Sequence, residues 1–408
     1  MFQGKLSKCL RQIQRSALSW IYGCPVGRTI LRTYDREHKD STWRREFRGA
    51  LANSVHLLGA CLTVSGLAFQ QQDEGVSACA TTAIWSSLQK LRDSEDAGII
   101  TPAQITMLAS RFSLPFGRSM PSEGLNIDQM CQAIQGLGIS PVLTCTPNYQ
   151  IARQIIYSSV LSGNAPILII SSLDDLNIGH AVTVVGVKRS CEHTETLIKP
   201  YLDDRSGVLK GLYLHDDRIG PYVSAGLSML GENTPPTHSR NLENFQLTPD
   251  SPTIIIRVDD MEPEPWLLTH VLTPLHSKVR LSFAQIQDIG HGMASRMFAA
   301  LQTRFGKASP IGIGIRILRA HKYVEKLLAS KPSPSRSHAF FDSVSLSRYV
   351  GLIKLISREV GEYDVLIDTT GTSRNQRCLG IVLRGDETDE KLMLGATMAH
   401  LYDCDFIY

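Results

Sequence analysis

Two runs constrain this chain more than any other feature: Pro166-Ile-Leu-Ile-Ile and His180-Ala-Val-Thr-Val-Val-Gly-Val. Their continuous apolar and β-branched character reads as buried strand. A polar loop, Ser171 to Gly179, joins them. After a hydrophilic stretch at 188–207, Leu212-Tyr-Leu-His-Asp-Asp returns as an antiparallel neighbour. Alternation along that strand puts Leu212, Leu214 and Asp216 on the core face. Tyr213, His215 and Asp217 fall on an outward face.

The segments before these strands carry helical signals. Ala83, Ile84, Leu88 and Leu91 recur at mostly helical spacing from Cys79 onward. Thr101-Pro102-Ala-Gln104 is a capping box with proline at the first helical position, opening a helix through about Phe112. Asn126-Ile-Asp-Gln129 opens another, carrying Ile127, Met130, Ile134 and Leu137. Residues 41–66 read as a helix followed by a short strand. Helices first and strands second is an α+β order.

A chain of 408 residues exceeds one comfortable core, so two domains are expected. The Pro/Asn/Thr-rich stretch 231–252 is the best boundary. The division expected is a basic helical extension at 1–50, a first domain at 51–235 and a C-terminal α+β domain at 245–408. That last unit reads as a strand at 253–258, a helix from Ser282 to Arg304 and a strand at 311–318. A helix at 345–360 and strands at 363–368 and 378–384 follow.

Composition excludes several classes. A net charge of +3 is too small for a dedicated nucleic-acid binder. No apolar run approaches 18 residues, so no transmembrane helix is expected. Nine scattered cysteines lack any CxxC pair, which suits a reducing, cytoplasmic setting and argues against a structural metal. Residues 1–34 contain six basic residues and no acid, with Leu6, Leu10, Ile13, Ala17 and Ile21 at roughly helical spacing. Such a helix packs on its own domain, serves as a targeting segment, or meets an anionic surface or partner protein.

The chemistry-bearing residues sit at element ends. A thiol acts as a nucleophile when it is thiolate, and a helix start or an imidazole favours that form. Cys79 stands where a polar turn feeds a helix. Gln71 or Gln72 upstream can supply an oxyanion donor. His180 follows a glycine at the start of a buried strand. Asp216 ends the next strand, where a carboxylate can orient an imidazole, with Asp217 as the alternative. Asp368-Thr-Thr-Gly-Thr reads as a strand-to-turn segment and Gly312-Ile-Gly314-Ile-Arg316 as strand, not as phosphate chemistry.

This order resembles the papain-like superfamily of cysteine peptidases, and within it the bacteriocin-processing, C39-like group. "QQDEGVSACATTAIW", "LNIDQMCQAIQGLG", "SGNAPILII", "GHAVTVVGV" and "LYLHDDRIGPY" carry the resemblance, across about residues 65–225. It implies a papain-like α+β domain with helices preceding an antiparallel sheet. It further implies Cys79 as nucleophile, His180 as base, Asp216 as orienting acid and Gln72, or its neighbour Gln71, in the oxyanion hole. The reaction implied is hydrolysis of an amide, peptide or isopeptide bond through a Cys79 thioester, without cofactor or metal, on a peptide or protein substrate. An idle binding or regulatory module on the same fold is the alternative.

Overall fold

The structure, a computed structural model, describes residues 28–37, 42–71, 77–95, 98, 100–111, 124–146, 148–233, 247–257, 263–330, 341, 346–370, 378–385 and 388–407. The chain begins with short strands β1 (Arg28–Ile30) and β2 (Trp43–Glu46). A hairpin of β3 (Leu51–Leu57) and β4 (Ala60–Gly66) and then β5 (Ala68–Gln70) follow. The stretch 42–66, expected as a helix followed by a short strand, is thus three strands with turns between them. Of the expected basic helical extension, residues 1–27 lie outside the described residues, and the rest contributes β1 and β2.

Helices α1 (Cys79–Ser94), α2 (Pro102–Ala109) and α3 (Ile127–Gly136) come next. Both anticipated capping boxes form, Thr101 with Gln104 and Asn126 with Gln129. Then follow β6 (Ile139–Cys145), α4 (Tyr149–Leu161), β7 (Ile167–Ser172) and β8 (Gly179–Ser190). After the short strands β9 (Leu197–Lys199) and β10 (Leu202–Asp204) come β11 (Leu209–Asp216) and β12 (Gly220–Met229). A one-turn helix, α5 (Leu230–Asn233), precedes β13 (Pro252–Arg257) and β14 (Glu264–His276).

Six of these strands close on themselves. β7 pairs with β8, β8 with β11, β11 with β12, β12 with β13, β13 with β14, and β14 returns to β7, all antiparallel. The expected helices-then-sheet, papain-like α+β fold is therefore wrong. Strand accounts for 41% of the described residues against 32% helix, around a closed six-stranded antiparallel barrel. The physical reason lies in β13 and β14: their apolar residues, Ile254, Ile256, Leu268 and Val271, share one core with Val182, Val184, Leu212 and Leu214. Without them, the sheet would leave that face open to water.

The barrel runs are apolar on consecutive residues because both faces are covered. Inside, Leu168, Val182 and Val271 pack with Ala152, Ile156 and Val160 of α4. Outside, Ile167, Ala181 and Leu272 pack under α1, α2 and α3. Another outer patch, Val185, Tyr213 and Tyr222, lies beneath Leu67, Leu31 and Phe47 from the N-terminal strands. Gly186 is needed here, because a Cβ would stand 2.4 Å from the Phe47 ring.

The chain then forms α6 (Phe283–Phe305), β15 (Ile311–Arg319), α7 (Ala320–Ser330), β16 (Tyr349–Ser357), β17 (Gly361–Asp368), β18 (Cys378–Arg384), α8 (Asp389–Leu401) and β19 (Asp405–Ile407). A seven-stranded sheet results, in the order β19-β18-β17-β16-β15-β10-β9. The segment expected as a helix at 345–360 is β16, whose Val350, Leu352, Ile353 and Leu355 are buried between α6 and α7.

Strand pairing crosses the expected boundary between 235 and 245 in both directions. Residues 252–276 complete the barrel, while β10 of the first half runs parallel to β15. Ion pairs add to the join. Glu95, capping the end of α1, meets Arg319 at 2.6 Å, Arg348 at 2.6 Å and His276 at 3.4 Å. Among the described residues, no helix is long and apolar enough to cross a membrane.

Candidate active site

Cys79 is the first residue of α1. The residue before it, Ala78, offers no side-chain cap, and no acid occupies the first turn. The helix start therefore presents its first-turn backbone N–H groups and the positive end of its dipole beside the sulfur. Side chains hold α1 against its surroundings. Thr183 of β8 donates to the Ala83 carbonyl at 3.0 Å, Trp85 Nε1 to the Ile100 carbonyl at 2.9 Å, and Gln89 exchanges two bonds with the Ala68 backbone at 2.8 and 3.0 Å. Ile84 and Leu88 are fully buried beneath it, each worth about 1.5–3 kcal/mol of apolar burial.

His180 is the second residue of β8, opposite Ile170 on β7, and its ring is buried. The Cys79 thiol lies near enough to this ring to favour its protonated form. Nε2 lies 3.0 Å from Asp216 Oδ1, which leaves Nδ1 for the sulfur. Asp216 ends β11 with no exposure, and its Oδ1 also accepts from the Arg218 backbone N–H at 3.0 Å. The turn closes at Gly220, whose φ of 146° favours glycine. Cys79, 101 residues before His180, and Asp216, 36 residues after it, are thus both brought to the imidazole.

Asp217 sits second. Its carboxylate reaches 3.7 Å from His180 Nε2, against 3.0 Å for Asp216. Both its oxygens are buried, without a hydrogen-bond partner from another residue among the described residues. Burial, above all, pushes its pKa up to about 6, with Asp216 adding to the rise and His180 opposing it. Asp216 is held below the usual carboxylate range: burial raises it, but the His180 hydrogen bond and charge more than offset this. Burial also acts against imidazolium at His180. The bonds to Asp216 and Cys79 and the Asp216 charge outweigh it, lifting His180 to about 10, with Arg218 opposing.

The sequence reading does not anticipate Arg218 and Trp266. Arg218 stacks over the Trp266 ring at 4.8 Å, and Trp266 lies 6.0 Å from the His180 ring. Arg218 Nε is 3.3 Å from His180 Nε2 and 3.6 Å from Asp216 Oδ1. With Nε2 protonated toward Asp216, the guanidinium charge is directed at the carboxylate. A cation two residues beyond the Asp is a signal the sequence carried. Trp266 had none: it is the third residue of β14, after the acidic sequence Asp259-Asp-Met-Glu-Pro-Glu.

The expected outward face of β11 is not outward. Tyr213 and His215 are buried, because Leu31, Phe47 and Leu67 cover the first and Phe69 of β5 the second. His215 packs edge-on against Tyr222 and Phe69, at 4.9 and 5.5 Å between ring centroids. Among the described residues neither of its ring nitrogens has a hydrogen-bond partner, and burial lowers its pKa to about 3, so the ring is neutral. Of the two candidate oxyanion glutamines, Gln71 directly follows β5, and Gln72 lies outside the described residues.

Ligand atoms of His180, Asp216 and Asp217 lie within 4.8 Å of one another, a spacing that a metal ion could use. The arrangement suits a proton-bridged pair better. Asp216 Oδ1 is already taken by the imidazole, and an incoming cation would face the Arg218 guanidinium. No protein-family model matches this chain, and no curated protein matches it significantly.

Proposed function

We propose that this protein is a thiol hydrolase that cleaves an amide, peptide or isopeptide bond through a thioester at Cys79. One observation carries the reading: a buried His180 lies beside Cys79 at the start of α1, and its Nε2 stands 3.0 Å from a fully buried Asp216. The order of elements, a cysteine opening a helix, a histidine entering a strand and an aspartate ending the next, supports it.

The chemistry follows from the contacts. His180 takes the thiol proton, leaving thiolate beside imidazolium, a pair that Asp216 stabilises. Sulfur attacks the carbonyl carbon, and the electron pair moves to oxygen. The first-turn N–H groups of α1, with Gln71 or Gln72, stabilise that oxyanion. Collapse breaks the C–N bond as imidazolium protonates the leaving amine. Water, deprotonated by His180, then hydrolyses the thioester and releases the acid and the free thiol. A peptide or protein substrate is the class this reaction fits.

Substoichiometric iodoacetamide labelling at neutral pH, mapped by mass spectrometry, tests the reading. Cys79 is expected to label ahead of the more exposed Cys61, Cys145 and Cys191 and of Cys131, whose thiol burial pushes up to about 11. His180→Ala should abolish that preference. Even labelling of all these thiols, or an unchanged Cys79 rate in His180→Ala, would rule out an activated nucleophile and leave a binding module.

A further inference from the structure

A second site lies far from the thiol. Lys90 is eleven residues along α1 from Cys79, about 16 Å at 1.5 Å per residue. There a cavity of about 330 Å³ opens between α1, the loop after α4, β15, α7 and β16. Eight lysine and arginine side chains line it, against one carboxylate, Asp364.

Half of those cations are already neutralised. Arg48 pairs with Glu46, Arg319 with Glu95, Lys354 with Glu362, and Arg384 with Asp364. Asp364 is further engaged, accepting a hydrogen bond from Tyr323 at 3.0 Å. Lys90, Arg316, Lys322 and Lys326 have no ion pair among the described residues. Arg316 is the telling member. It projects from the middle of β15, opposite Leu352 on β16, and burial together with the Arg48 charge disfavours its protonated form. A part-buried guanidinium whose neighbouring carboxylates, Glu46 and Asp364, already pair with Arg48 and Arg384 is costly, and the three lysine charges around the same cavity add repulsion. An anion removes both penalties.

We propose that this cavity binds a small molecule carrying two or more phosphate groups. Two phosphates at about −1.5 to −2 each balance four cations, whereas one does not. Leu275, Leu327 and Leu352 line the rest of the cavity and leave room for an organic body. Arginine supplies a planar fork for phosphate oxygens, and the lysines of α7 add mobile point charges at the rim. The inference is independent of the hydrolase reading, since no catalytic group lines the cavity.

Titration calorimetry of the full chain in low-salt, phosphate-free buffer tests it, with pyrophosphate and orthophosphate as probes. Pyrophosphate should bind at least about tenfold more tightly than orthophosphate, and its affinity should fall as salt rises. Lys322→Ala/Lys326→Ala, both exposed and safe for the fold, should weaken pyrophosphate by about tenfold, and Arg316→Gln by at least as much. No heat from millimolar pyrophosphate would overturn the proposal. So would unchanged affinity in the lysine variant, whatever the fate of Arg316→Gln.

Discussion

Asp216→Asn separates the roles of the two buried carboxylates. His180 is raised from an ordinary 6.5 to about 10, a preference for imidazolium of about 5 kcal/mol at 1.36 kcal/mol per pH unit. Two of the influences that raise it come from Asp216, its hydrogen bond and its charge, while burial, the largest influence of all, pulls the other way. Amide for carboxylate removes both supports and leaves the burial. The imidazole pKa should then fall by at least about 3 units, to 6.5 or lower.

The sign of the stability change follows. A histidine whose folded pKa exceeds its unfolded one stabilises the fold fully below about pH 6.5 and loses that contribution as pH rises through about 10. Asp216→Asn should therefore cost about 3–5 kcal/mol at pH 7 and much less above pH 10. Cys79 alkylation at pH 7 should slow about tenfold, toward that of an ordinary thiol. The assay is an NMR titration of labelled histidine, alongside denaturant melts and alkylation rates. Asp217→Asn should leave His180 imidazolium at pH 7, because Asp217 stands at 3.7 Å, not 3.0 Å. An imidazole still titrating near 10 in Asp216→Asn, or a larger drop in Asp217→Asn, would refute this assignment.

Three further outcomes are expected. The Asp217 carboxyl, raised to about 6, favours the fold at low pH and loses that contribution as pH rises from its ordinary 3.8 through 6, by up to about 3 kcal/mol; Asp217→Asn should raise the melting temperature at pH 7.5 but not at pH 4, and no gain at pH 7.5 would refute this. His215, neutral and without hydrogen bonds between Tyr222 and Phe69, weakens the fold as pH falls from 6.5 toward 3; His215→Leu should remove this loss and stabilise the protein by about 1–3 kcal/mol at pH 7, as urea melts at pH 7 and pH 4.5 would show. The Cys378 and Cys404 sulfurs lie 3.0 Å apart, so a mild oxidant should cross-link this pair first, detected by peptide mapping and abolished in Cys404→Ser.

The site was legible because its signals are local. A cysteine opening a helix, a glycine–histidine strand entry and an aspartate closing a strand are each spelled out within a few residues. Alternation along β11 singled out Asp216, the carboxylate closest to His180. The same rule misplaced Asp217, because residue 217 has left the strand and sits in the turn that ends at Gly220. It also misjudged the far face, since nothing near Tyr213 or His215 announces that Phe47 and Phe69, some 150 residues upstream, will cover them.

The fold was less legible for the complementary reason: its decisive contacts are distant or its turns lack their usual residues. The hairpin of β3 and β4 turns on Leu58 and Gly59, both at positive φ. Asn-Gly would have announced such a turn; leucine in the left-handed region disguised it, and a helical reading filled the gap. β16 misled in the opposite way. Its Leu-Ile-Lys-Leu-Ile core has helical spacing, yet it lies between β15 and β17 with both faces covered, where pairing decides and propensity does not. Barrel closure rests on β14 reaching back a hundred residues to β7, across a segment that reads locally as a domain linker. That closure fixes His180 and Asp216 on neighbouring strands, with Trp266 of β14 beside the imidazole. Residues beyond 245, expected to lie apart from the chemistry, therefore form one wall of the candidate site, and a chain cut near Thr234 would open the barrel at β12.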